Sequence, residues 1–156
     1  MDRIARTLIE EFSDLSDAEH ITRVLLRLLL AAALGGVLGY ERESHGKAAG
    51  VRTHMLVAMG TALFVLVPEQ RGVQDADISR VIQGIVAGIG FLGAGAIIKH
   101  PAQEQVQGLT TAAGIFMTAA IGVACGLGRE ATAVLSTLLA LLAFALVPKL
   151  DDRRKL

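Results

Sequence analysis

Four long stretches of this chain contain no acid. Neither Asp nor Glu occurs between residues 44 and 68, 78 and 103, 105 and 129, or 131 and 150. An ion costs several kcal/mol in hydrocarbon, so segments that cross a bilayer confine their charges to the connections. The rest of the composition agrees: 53% of the 156 residues are apolar, and the mean hydropathy is +0.54, well above ordinary soluble usage. With 15 basic and 15 acidic residues, the chain has no overall basic field to draw in nucleic acid, which is excluded as a partner. The partners implied are the lipid bilayer and other integral membrane proteins.

A membrane helix needs about 20 residues to cross the hydrocarbon. Five segments answer to this: Ile21 to Tyr40, Thr53 to Pro68, Val81 to Ile98, Leu109 to Leu127 and Ala131 to Pro148. The second is short and can extend over Val51 and Arg52. Ser16 and Glu19 are spaced as a capping box ahead of the first span, and Pro68, Pro101 and Pro148 mark connections. The predicted fold class is therefore all-α, a polytopic membrane helix bundle with five transmembrane helices. Residues 1–20 form an N-terminal segment, 21–148 the transmembrane domain and 149–156 a basic cytosolic tail. Within the N-terminal segment Ile4, Leu8, Phe12 and Leu15 recur at helical spacing opposite Glu10, Glu11 and Asp14. Two readings stand, an amphipathic helix on the membrane surface and a frayed acidic tail. This segment has no continuous apolar core of the kind a cleavable signal peptide carries, so none is expected.

Gly88-x-Gly90-x-x-Gly93 matches the letters of a dinucleotide fingerprint, but the acidic residue needed about 20 positions later is missing, and the region there reads GLTTAAGI. Small residues at helical spacing have another use in lipid, where they let helix backbones approach. Gly35 and Gly39, Gly84 and Gly88, and Gly122 and Gly126 form three such pairs, with Gly90, Gly93 and Gly95 extending the middle one. These are the predicted packing faces, one of them left over for a partner or a second copy of the chain.

Orientation follows the lysines and arginines near the spans. The N-terminal side holds Arg3, Arg6, Arg23, Arg71, Arg80 and Arg129; the other holds Arg42, Lys47, Arg52, Lys99, Lys149, Arg153, Arg154 and Lys155. The N-terminus is accordingly expected outside, in the periplasm, and the C-terminus in the cytosol.

Arg27 is the ionisable residue well inside a span. It is either functional or, six residues from its helix start, snorkelling to the outer headgroups. The stretch GYERESHGKAAGVRTH gathers Glu41, Arg42, Glu43, Lys47, Arg52, Thr53 and His54 around one loop. That loop is either a binding mouth or a charged clamp between two helices. It is no phosphate loop, since Ala48 stands where a magnesium-binding hydroxyl would be. Gly108 opens the fourth span with Thr110 and Thr111, which can cap the helix or bond a neighbour. Catalytic equipment is lacking: His20, His45, His54 and His100 are scattered, no metal or cofactor motif is present, and an enzyme is not expected. Cys125, the single cysteine, reads as a buried structural thiol.

Three stretches in order, GYERESHGKAAGVRTHMLVAMGTALF, GIVAGIGFLGAGAII and GLTTAAGIFMTAAIGVACGLG, resemble the MgtC/SapB family of bacterial inner-membrane proteins over roughly residues 24–128. The resemblance implies five spans, a cytosolic C-terminus, and a role in survival of low magnesium, acid stress and growth inside macrophages, including restraint of the membrane ATP synthase. It places family positions at Arg27, Glu41, Arg42, Arg52, Thr53, Gly90, Gly93, Gly95, Gly108 and Thr111. Gln107, Thr110 and Phe116 depart from residues common in the family, which often has a basic residue, Asn in some members and Trp there. Longer members carry a soluble cytosolic domain after the fifth span, and functions needing it are not expected of a chain ending at Leu156. Two functions follow as expectations: a regulator that binds membrane partners through its glycine faces, and a small cation or proton transporter or channel.

Overall fold

The computed structural model describes residues 2–11, 13, 17–70, 75–99 and 106–152. The helices are α1 (Asp2–Glu11), α2 (Ala18–Ser44), α3 (Val51–Gln70), α4 (Asp75–Ala96), α5 (Leu109–Gly126) and α6 (Glu130–Asp152). Between α4 and α5, β1 (Ile98–Lys99) pairs antiparallel with β2 (Val106–Gln107), a short ladder the all-helical reading did not contain. By length and composition α2, α3, α4 and α5 can each cross a membrane, while the described apolar part of α6, Glu130–Leu146, is shorter.

Several predicted boundaries move. The cap of α2 is Asp17, whose side chain accepts from the Glu19 amide at 3.3 Å; Ser16, the predicted cap, lies outside the described residues. Helix α3 continues through Pro68 to Gln70, and α6 continues through Pro148 to Asp152, because a proline near a helix end removes one hydrogen bond without forcing a stop. The first four tail residues are thus helical, and Pro101 and His100 lie outside the described residues. No threonine caps α5: its N-cap is Gly108, held at φ +92°, and Thr110 is exposed.

Helix α5 is the centre of the bundle, packed against α2, α3, α4 and α6, while α2 and α3 form the most extensive pair. The core is built of small side chains: Ala31, Ala58, Ala62 and Ala133 are fully buried around Leu38, Ile121 and Cys125. Large apolar residues point outward instead, Phe91 being 80% and Phe64 64% exposed. Such an inside-out distribution suits a solvent as apolar as leucine, in which close backbone contact rather than side-chain burial holds helices together.

The glycines divide sharply. A methyl on Gly35 would sit 2.6 Å from the His54 carbonyl oxygen, one on Gly39 2.6 Å from the Val51 Cα, and one on Gly126 2.5 Å from the Ala62 carbonyl oxygen. One on Gly122 would collide with the Thr61 hydroxyl and the Ala58 carbonyl. These two pairs therefore let α2 and α5 lie against the α3 backbone. The α4 glycines are the face left uncovered within the chain: a methyl on Gly84, Gly88, Gly90 or Gly95 would have nothing within 4 Å, and one on Gly93 would meet only the Ala112 Cβ at 3.6 Å. The physical reason is that α4 leans on α5 and touches α3 sparingly.

Candidate functional site

Helix antiparallelism brings the C-terminal end of α2, the start of α3 and the N-terminal half of α5 to one end of the bundle. The α2–α3 turn closes through amides of His45 and Lys47 donating to the Arg42 carbonyl at 3.2 and 3.0 Å. The Glu43 carboxylate then accepts from the Val51 amide at 2.9 Å, capping α3 where a helix N-terminus favours negative charge. Glu43 is thus a positioning group rather than a lining one.

Arg42 turns inward and is buried. Its Nε and Nη2 both reach the Glu41 carboxylate, Nη2 at 2.7 Å, and its guanidinium carbon lies 3.8 Å from the centre of the Phe144 ring of α6. Glu41 also faces His45 Nδ1 at 3.2 Å. His54, fully buried, places Nδ1 3.0 Å from the Gly50 carbonyl. A carbonyl only accepts, so Nδ1 carries the proton and Nε2 presents a lone pair, which has no partner among the described residues. Gly114 of α5 draws these groups together: a methyl there would lie 3.4 Å from Phe144 Cζ, 3.6 Å from His54 Nε2 and 3.9 Å from Arg42 Cδ. Thr111, buried one turn earlier, is the other α5 member of this end.

At the opposite end Arg27 is buried. The Arg27 guanidinium is held at the α5–α6 turn. Its Nη1 donates to the Gly126 carbonyl at 2.9 Å, and its Nε lies 3.9 Å from the Glu130 carboxylate. The guanidinium packs over Gly128, where a Cβ would collide with it. A cation at a helix C-terminus meets carbonyls left without intrahelical partners, and here it joins α2 to the α5–α6 turn.

Of the residues the sequence singled out, the structure gathers Glu41, Arg42, His54 and Thr111, seats Glu43 at a helix cap and puts Arg27 at the far end. Arg52, Thr53 and Thr110 are exposed and outside the cluster. Sequence reasoning missed Phe144, Gly114 and Glu130, because an apolar residue, a glycine and an acid on later helices carry no local sign of what they meet. Among the described residues no three His, Cys, Asp or Glu side chains are grouped to hold a metal ion.

Long apolar helices with outward leucines, a glycine-packed interior and charges paired at helix ends define a multi-pass membrane protein. The chain belongs to the MgtC family, whose model matches residues 28–153. It is 44% identical to Protein SrpB of Synechococcus elongatus, over 76% of this chain and 71% of that one. It is 40% identical to Protein MgtC of Salmonella typhimurium, over 83% and 54%, and 39% identical to "Putative magnesium transporter YhiD" of Escherichia coli, over 83% and 62%. The chain therefore spans roughly half to seven-tenths of the length of these relatives. No solved structure matches it.

Proposed function

We propose that this chain is a regulatory protein of the bacterial inner membrane that acts by binding other integral membrane proteins, without chemistry of its own. It crosses the bilayer five times, α2 to α6, with its N-terminus in the periplasm and its C-terminus in the cytosol. The observation that carries the reading is the open glycine surface of α4. Gly84 and Gly88 line a groove of about 460 Å³ beside Phe64 and Leu92 of α3 and α4, and Gly90 and Gly93 line one of about 580 Å³ toward α5. In lipid a small-residue surface allows another helix to approach, and the equivalent surfaces of α2 and α5 are already occupied within the chain. The family points to adaptation to low magnesium, acid or intracellular stress, and to the membrane ATP synthase as a partner; a second copy of the chain is the other.

Cysteines placed at 84 and 88 in the full protein test this in native membranes. Crosslinks to ATP synthase subunits or to a second copy are expected from either cysteine introduced singly, and they are lost when the other of the two glycines is replaced by leucine. Clean monomers at every growth condition would overturn the reading.

The alternative, cation or proton transport, is favoured by one observation, the unpartnered lone pair of His54 between helices, and by the name of the Escherichia coli relative. Against it, hard cations want oxygen ligands, usually carboxylates, and the span interiors have none. Ion flux in proteoliposomes that disappears in Arg27→Ala would favour transport over regulation.

A further inference from the structure

Helix α1 separates its residues by type. At about 100° per residue, Ile4, Ala5, Leu8 and Ile9 fall on one side, and Arg3, Arg6, Thr7, Glu10 and Glu11 on the other. The apolar side is uncovered: Ile4 and Ile9 are each 72% exposed and Leu8 56%. Exposed apolar faces of this kind mark a surface awaiting a partner.

We propose that this partner is the lipid surface at the end of the bundle where α2 begins, with Ile4, Leu8 and Ile9 sunk among the acyl chains and Arg3 and Arg6 among the headgroups. Residues 12–17 separate α1 from α2, and at about 3.5 Å per residue they span no more than about 20 Å. Helix α1 therefore stays near the plane in which α2 enters the bilayer. On α2 itself Ile21, Leu25, Leu26 and Leu29 are exposed, so its first turns also offer an apolar surface to the hydrocarbon. Charge does not supply the attraction, because Arg3 and Arg6 are outnumbered before the span by Asp2, Glu10, Glu11, Asp14, Asp17 and Glu19. Burial of apolar side chains does, so the docking is indifferent to anionic lipid and fixes the start of α2 at headgroup depth.

The test uses the full-length protein, with Cys125 replaced by alanine, in phosphatidylcholine vesicles. Single cysteines at 4, 6, 7 and 8 carry a fluorophore, and nitroxide-bearing lipids quench it. Several-fold stronger quenching at 4 and 8 than at 6 and 7 is expected, unchanged when phosphatidylglycerol is added. The double change Ile9→Asp and Ala5→Asp should abolish the contrast while leaving the bundle's melting unaltered. Equal weak quenching at all four positions, a requirement for phosphatidylglycerol, or crosslinking of two chains through position 8 would each overturn the proposal.

Discussion

Arg27 shows how a single costly residue can be settled by its neighbours. Its guanidinium serves the Gly126 carbonyl and faces Glu130, so Arg27→Ala should leave both without a partner and cost about 1–3 kcal/mol. Thermal unfolding in mild detergent reads this, and Arg27→Lys, which keeps charge but not the planar fork, should recover only part of it. Arg42 and Phe144 give a second residue-scale outcome. A double-mutant cycle combining Arg42→Gln with Phe144→Leu should return a coupling of about 0.5–2 kcal/mol. Glycines at contact positions behave oppositely to those in the open. Gly39→Ala forces a methyl toward the Val51 Cα at 2.6 Å and should destabilise by about 1–3 kcal/mol. Gly84→Ala meets nothing within 4 Å and should be neutral or gain up to about 1 kcal/mol from helix propensity. Comparing the two melting points checks whether glycine is needed at each site for packing inside the chain. Sequence alone identified all of these glycines but could not distinguish occupied from open ones, because spacing on one helix says nothing about which helix faces it.

At the level of elements, the four acid-free stretches fall on α3, α4, α5 and α6, since the expense of burying charge acts on every residue of a span. Ends were harder to read. Pro68 and Pro148 look like stops and are helix interior, and the Ser16 and Glu19 pattern suggested a cap that Asp17 supplies. The α4–α5 connection depends on Gly108, whose φ of +92° lies in the left-handed region and whose missing Cβ leaves room for the Ala96 carbonyl. Gly108→Ala should therefore cost at least about 2 kcal/mol and loosen α4 from α5. Faster proteolysis at the β1–β2 connection of the variant, with α2 and α3 still protected, is the expected pattern. Uniform protection would mean that this turn does not hold the two helices together.

For the whole molecule, orientation is the quantity most open to a direct check. Alkaline phosphatase fused after the chain should be inactive and green fluorescent protein fused there should shine, with the reverse reporters answering at the N-terminus. Both ends in one compartment would remove the five-span topology. The sequence by itself determined that this is a helical membrane protein and where its long apolar helices lie, because desolvation of charge and backbone is a local cost visible in every window. Only the tertiary structure decided that Arg27 caps α5, that Arg42 meets Glu41 and Phe144, and that Gly84, Gly88, Gly90 and Gly95 of α4 stay bare. Those outcomes depend on which helix lies beside which, and in lipid that choice rests on shape and polar pairing between segments far apart in the chain.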